Sequence, residues 1–205
     1  MRRVNQRGFT LVELLLATAV FSIALIAITA AIIQLFKAYQ SGISIRKTQN
    51  ESRILSEELT RHARASSIIA GSPTAVCFFY PATKNQANGE DTSDAKMYYV
   101  ENEKLYMINK QVTYPAADPT CDSALFASGT TTQVSNEEII LKEFNGENSR
   151  DNMMELVMKI GTSNSVGEIE DISDDPDKPD WECKSGYEYC SMTTIEKSIM
   201  ARGEK

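Results

Sequence analysis

Four groups of side chains in this sequence of 205 residues could do chemistry. Cys77, Cys121, Cys183 and Cys190 can form disulfides or hold a metal, and His62, the single histidine, can carry a proton near neutral pH. Eight acidic residues and one lysine lie between Glu168 and Glu182, and one carboxylate, Glu13, stands at the edge of a long apolar run. The cysteines include no C-x-x-C pair and His62 is remote from them in sequence, which disfavours zinc. Four cysteines allow three pairings, among which sequence does not choose. The preferred pattern joins Cys77 to Cys121 and Cys183 to Cys190, with buried free thiols as the alternative. Asp174, Asp175, Asp177 and Asp180 offer the clustered oxygens that calcium requires, but their order lacks the spacing of a calcium loop. A solvated surface loop, closed by the 183–190 segment, is the preferred reading of 168–182. Two prolines and dense like charge there argue against a regular element. No motif places a nucleophile or carboxylate beside His62 and no G-x-S-x-G occurs, so no enzyme is expected. His62 itself reads as a partly buried helix residue with a satisfied ring.

Glu13 has to be understood through the segment that carries it. From Leu14 to Phe36 there are 23 residues without a charge, about 35 Å as a helix and enough to cross a bilayer. Arg2, Arg3 and Arg7 precede the run with no acid among them. The positive-inside bias therefore predicts a cytoplasmic N-terminus and an external head. A cleaved secretory signal would need a shorter apolar core, and here Ala17-Thr18-Ala19 sits in the middle of the run rather than after it. A plain anchor explains length and flanking charge but leaves Glu13 unexplained, because an acid in hydrocarbon is costly and marks a functional site when a partner can be named.

Gly8, Phe9, Thr10, Leu11, Val12, Glu13, Leu14 and Leu15 carry a resemblance to the N-terminal motif of type IV pilins and type II secretion pseudopilins. The shared features are a basic leader ending in glycine, an aromatic next, a glutamate four further on, and then an unbroken apolar helix. The resemblance implies that a prepilin peptidase on the cytoplasmic side cuts after Gly8 and that Phe9 becomes an N-methylated amino terminus. It further implies that Glu13 pairs with that amino group on a neighbouring subunit during assembly. An ion pair within one subunit is the alternative, since residues four apart on a helix are neighbours. Each charge is costly to bury alone, so pairing across subunits acts as a register signal.

The expected organisation is a leader over 1–8, a transmembrane and polymerisation helix over 9–36, an amphipathic continuation over 37–70, and a β-rich head over 71–205 with the acidic loop at 168–182. No proline precedes Pro73, so nothing forces a kink in the helix. Leu55, Leu59, His62, Ser66 and Ile69 form its packing stripe. Runs at 75–80, 96–100, 104–112, 137–144 and 153–160 read as strands, with 96–112 as a hairpin. The final segment from Met192 resembles the closing strand of W-like and J-like minor pilins. The fold class is α+β: a long helix packed on an antiparallel sheet of five or six strands.

The unkinked apolar helix and the large head resemble a minor pilin of that W-like or J-like kind. Its partners would be prepilin peptidase, other pilins or pseudopilins in a helical filament, and an inner-membrane assembly platform. It would reside in the inner membrane and then in a pilus or periplasmic pseudopilus. A minor pseudopilin of a type II secretion system is the alternative function, and a membrane-anchored binding protein that never polymerises is the third. The net charge is −7, or −10 without the three leader arginines, which repels phosphate backbones and excludes direct, non-specific nucleic-acid binding by the head. Calcium apart, no cofactor is expected.

Overall fold

Ser66 ends a helix that begins at Leu11. In the computed structural model, which describes residues 10–84, 91–114, 120–150, 153–162, 169–173, 181–184 and 190–202, helix α1 spans Leu11–Ala65. Eleven strands and one short helix follow: β1 Ile68–Ser72, β2 Ala75–Phe79, β3 Thr83–Lys84, β4 Asp91–Glu101, β5 Lys104–Thr113, α2 Ser123–Phe126, β6 Thr130–Gln133, β7 Ile139–Arg150, β8 Met153–Thr162, β9 Ile169–Asp171, β10 Trp181–Cys183 and β11 Met192–Met200. The chain divides into two units, one to Gln40 and one from Ser41 onward. This is an α+β protein: a long N-terminal helix followed by an antiparallel head.

In the first unit every large apolar side chain from Leu11 to Phe36 is exposed. The helix is long and apolar enough there to cross a membrane. The hydroxyls of Thr18, Ser22 and Thr29 donate to the carbonyls of Leu15, Thr18 and Leu25 at 2.8 to 2.9 Å. That satisfies them within the helix, as a lipid surrounding demands.

The head contains the second half of α1 and is built on two main sheets. The larger has the order β1-β2-β4-β5-β6, with β3 added to β4; the smaller has the order β11-β8-β7; β9 and β10 form a separate pair. One core unites the helix with both main sheets: Leu55, Leu59 and Ala63 of α1 meet Val76, Phe78, Tyr98 and Leu105 of the larger sheet and Leu141, Met154, Leu156 and Ile199 of the smaller. β2 is buried along its whole length, because the opposite face of its sheet is also covered. There Ala75, Cys77, Phe79, Ala95 and Met97 pack with Phe126 of α2 in a second cluster. A disulfide between Cys77 and Cys121 fastens that covering segment to the sheet.

Three features differ from the sequence expectation. The helix stops at Ala65, short of residue 70: the Ser66 amide still donates to His62 O at 2.9 Å, but the Ser67 amide turns to Phe79 O at 2.8 Å and starts β1. Ser66 and Ile69 therefore leave the helical stripe, whose buried line is Thr48, Ser52, Leu55, Leu59 and Ala63. The strands form more than one sheet: β7 pairs with β8, and it meets β1 at a close approach of Gly71 to Gly146. The acidic stretch also contains regular structure: Trp181, Glu182 and Cys183 pair with Asp171, Glu170 and Ile169, with the Lys142 ammonium 4.9 Å above the Trp181 ring. Strands of three residues are too short to show a period-two pattern.

The hairpin of β4 and β5 matches its expected position. Glu101 faces Lys104 across a two-residue turn, and Asn102 and Glu103 both adopt positive φ, 50° and 61°, as the turn favoured by strand twist requires. The turn is held against β7, where the Leu141 amide donates to Glu103 O at 2.9 Å and Lys142 pairs with the Glu103 carboxylate.

A Cβ on Gly71 would lie 2.2 Å from Gly146 O and 2.7 Å from Gly146 C, so β1 and β7 approach closely only because both positions lack side chains. Gly71→Ala is expected to destabilise the head by about 1 to 3 kcal/mol through overpacking. Gly42→Ala, in mid-helix with nothing within 4 Å, is expected to be neutral or stabilising by up to about 1 kcal/mol. Urea unfolding of the full chain in detergent measures both, and equal midpoints would contradict the packing account.

Candidate assembly site

Gly8 and Phe9 lie outside the described residues, and Thr10 is the first residue before the helix. The Thr10 carbonyl accepts from the Leu14 amide at 3.2 Å, so it opens the helical hydrogen-bond series. Its amide and hydroxyl donate to Glu13 Oε2 at 2.9 and 3.0 Å, and the Glu13 amide donates back to Thr10 Oγ1 at 3.3 Å. This is a capping box: residue and helix end satisfy each other's otherwise orphaned groups. The macrodipole also favours a carboxylate in the first turn.

Thr10-Leu11-Val12-Glu13 is thus a T-x-x-E signature at the head of an apolar run. Reading Glu13 through pairing alone overlooks it. Its consequence for chemistry is positional. The box turns the carboxylate back toward the helix start, four residues from Phe9, while Oε1 accepts no hydrogen bond among the described residues. A cation brought to this helix start would meet a pre-oriented acceptor. On the same side of the helix Val12, Leu16, Ala17, Val20, Phe21 and Ala24 flank Glu13 in an open, apolar groove. Ala17 and Ala24, four and eleven positions beyond Glu13, keep that face low and allow another helix to approach closely.

The remaining sequence-marked residues fall elsewhere. Cys183 is joined to Cys190, closing the 183–190 segment, and among the described residues no cysteine is free. Asp174, Asp175, Asp177 and Asp180 lie outside the described residues. Among the described residues no group of three histidine, cysteine or acidic side chains is placed to hold a metal.

His62 lies in the last turn of α1 against an aromatic wall. Phe78, Tyr80 and Tyr98 place their ring centroids 5.8 to 6.2 Å away, and Nδ1 meets the Tyr80 hydroxyl at 2.5 Å. Glu58 approaches Nε2 at 3.9 Å while accepting from the Tyr98 hydroxyl at 2.9 Å. Burial first, then the charge of Lys96 and to a smaller degree of Arg61, holds the imidazole below its ordinary pKa against the pull of Glu58. The same burial pushes the Tyr80 hydroxyl up to about 12.

A family model, the prokaryotic N-terminal methylation motif, matches residues 3–29. No curated protein and no solved structure matches the chain. The matched segment contains Arg3, Arg7, the T-x-x-E box and most of the exposed apolar helix. A match to this motif supports a type IV pilin or pseudopilin and, together with the apolar helix, a membrane-anchored, single-pass protein.

Two outcomes follow from this geometry. Because the folded imidazole titrates below the unfolded value of 6.5, the unfolded chain binds more protons below that pH. Stability should fall as pH drops through 6.5 and level off below the folded pKa. Thermal midpoints between about pH 7 and pH 5 measure this, and a His62→Gln variant with the same slope would contradict it. Thr10→Val removes the hydroxyl that donates to Glu13 Oε2 and accepts from the Glu13 amide, leaving only the backbone amide of residue 10 as a donor, and should speed amide exchange at Val12 and Glu13 several-fold relative to mid-helix amides. Unchanged exchange would show that the box does not hold the helix start.

Proposed function

We propose that the chain is a structural minor pilin of the larger W-like or J-like kind. Prepilin peptidase removes residues 1–8, Phe9 becomes an N-methylated amino terminus, and the apolar helix enters a type IV pilus, where the protein serves assembly, motility, adhesion or DNA uptake. It works without catalysis and without a cofactor. Before assembly it sits in the inner membrane with its N-terminus in the cytoplasm and its head outside, reaching the filament through an inner-membrane assembly platform.

One observation carries this reading: a carboxylate held by a capping box at the start of a helix whose large apolar side chains from Leu11 to Phe36 are all exposed. Cleavage after Gly8 creates an ammonium at the adjoining position. In a lone subunit the carboxylate shares its charge with Thr10. In a filament Oε1 can receive the ammonium of a neighbour, which removes an unpaired cation from the apolar interior. A helix displaced along its neighbour leaves that ammonium without its acceptor, so the pair selects the register of packing. The groove beside Ala17 supplies the close contact that such a pair needs.

A minor pseudopilin of a type II secretion system would use the same device. A neighbouring gene for a retraction ATPase supports the pilus, whereas one for an outer-membrane secretin among secreted hydrolases supports secretion. A membrane-anchored binding protein that never polymerises would not need Glu13 at all.

Glu13→Gln keeps the length and an acceptor for the capping box but removes the charge. The variant should be cut after Gly8 and N-methylated at Phe9, as mass spectrometry of the N-terminus reads, yet be depleted about tenfold or more from sheared filaments. Normal incorporation of a correctly processed variant would refute the pairing role.

A further inference from the structure

The α2 segment closes only part of the outer face of the larger sheet. Past it a cleft of about 600 Å³ opens between residues 120–123 and the strands, a size typical of small-ligand sites. Its floor is apolar and aromatic. Met97, Tyr99 and Ile108 lie there, and Tyr99 is stacked on Tyr106, its partner across β4 and β5, with ring centroids 5.7 Å apart and planes at 28°. The rim is polar and unspent. Thr74, Thr120 and Ser123 are exposed, and their hydroxyls make no hydrogen bond among the described residues. Glu101 and Asp122 add two carboxylates. One oxygen of Asp122 caps α2 at the Ala124 amide, while the other and both of Glu101 accept nothing among the described residues. Among the described residues no basic side chain lines the cleft.

We infer that this cleft binds one or two neutral pyranose rings of a saccharide, an inference that does not depend on the filament-subunit reading. A pyranose has an apolar C–H face and an edge of hydroxyls, and the cleft offers a counterpart to each. The C–H face lies on the floor, where the electron-rich face of Tyr99 attracts it. The hydroxyls donate to Glu101 and Asp122, which as carboxylates can only accept, and exchange hydrogen bonds with Thr74, Thr120 and Ser123, which can do both. Other ligand classes fit less of the site. The two carboxylates repel phosphates and acidic sugars. An apolar ligand would cover the rim groups without pairing them, and an ammonium would use the carboxylates but leave the three hydroxyls without a role.

The rim is held in place before any ligand arrives. Cys121 sits within 120–123 and is bonded to Cys77 on β2, so the disulfide keeps Thr120, Asp122 and Ser123 at the sheet. On the strand side, the Ser72 hydroxyl accepts from the Ala75 amide at 3.0 Å and the Val100 amide donates to Thr74 O at 3.4 Å, which fixes the turn between β1 and β2. Groups already ordered lose little freedom on binding, so a few polar contacts on an aromatic floor suffice for measurable affinity.

The test uses the full chain with carbon-13 methyl labels in amine-oxide micelles, which contain no sugar, and the probes are maltose, lactose and cellobiose at millimolar concentration. At least one of them should receive saturation from the protein at its ring C–H protons and shift the methyl resonances of Met97 and Ile108 to a plateau. Tyr99→Leu keeps an apolar floor but removes the aromatic face, and Glu101→Gln with Asp122→Asn keeps the capping oxygen but removes both charges. Each should weaken binding by about tenfold. Unmoved methyl resonances of Met154 and Leu156, in the core shared with α1, show that each variant is folded. Three outcomes would overturn the inference: no transfer and no methyl shift with any of the three sugars, undiminished affinity in a folded Tyr99→Leu variant, or shifts produced by tetramethylammonium and by none of the sugars.

Discussion

A carboxylate at the start of an apolar helix has to be satisfied before anything else about that helix can work. Thr10 does this first, with an amide and a hydroxyl on one oxygen of Glu13. The arrangement is local and needs no partner, so the helix start carries no uncompensated acid. It leaves the second oxygen available, so the same carboxylate can bind a cation later without the helix start being rebuilt. On the proposed reading, capping and pairing would use different oxygens of one group, filled in turn as the chain is made, cut and assembled. The two explanations for Glu13 are consecutive, not competing.

The head depends on a different constraint, which is that a single helix face must serve two sheets. Small residues and leucines line that face, from Thr48 and Ser52 to Leu55, Leu59 and Ala63. Both sheets send apolar side chains to it, and their backbones come close to one another where Gly71 and Gly146 face each other and where the Leu141 amide meets Glu103 O. The polar contacts at the margins then fix the hairpin turn and the last helical turn: Lys142 on Glu103, Lys104 on the carbonyls of Glu137 and Ile139 at 2.6 Å each, and Tyr98 on Glu58. Each involves groups at least partly removed from water, where an unpaired charge or hydroxyl would be costly.

How much of this could be read from sequence depended on whether the signal was local. Twenty-three uncharged residues and the absence of proline before Pro73 announce a long helix, and Asn102-Glu103 between two aromatic runs announces a hairpin. The end of the helix was not legible, because Ser66 and Ile69 fit a helical stripe as well as they fit a strand, and only the Ser67 amide bond to Phe79 decides. The division into two sheets is a non-local fact that depends on which strand lies beside β7. The capping box was legible from four residues, yet the stronger meaning of the family motif hid it. The cysteine pairing needed geometry, since three patterns satisfy the sequence equally.

The covered outer face of the larger sheet shows why the disulfide matters to the head. Both faces of β2 are buried, so the sheet requires a lid, and the α2 segment supplies it with Phe126. A helix of four residues cannot persist by its own hydrogen bonds. Asp122 caps it through the Ala124 amide at 3.0 Å, and the Cys121 bridge limits the entropy the segment can regain by lifting away. Beyond the lid, Met97, Tyr99 and Ile108 border a cleft edged by Glu101 and Asp122. A covalent tie holds in place the segment of this face that packing alone would leave loose.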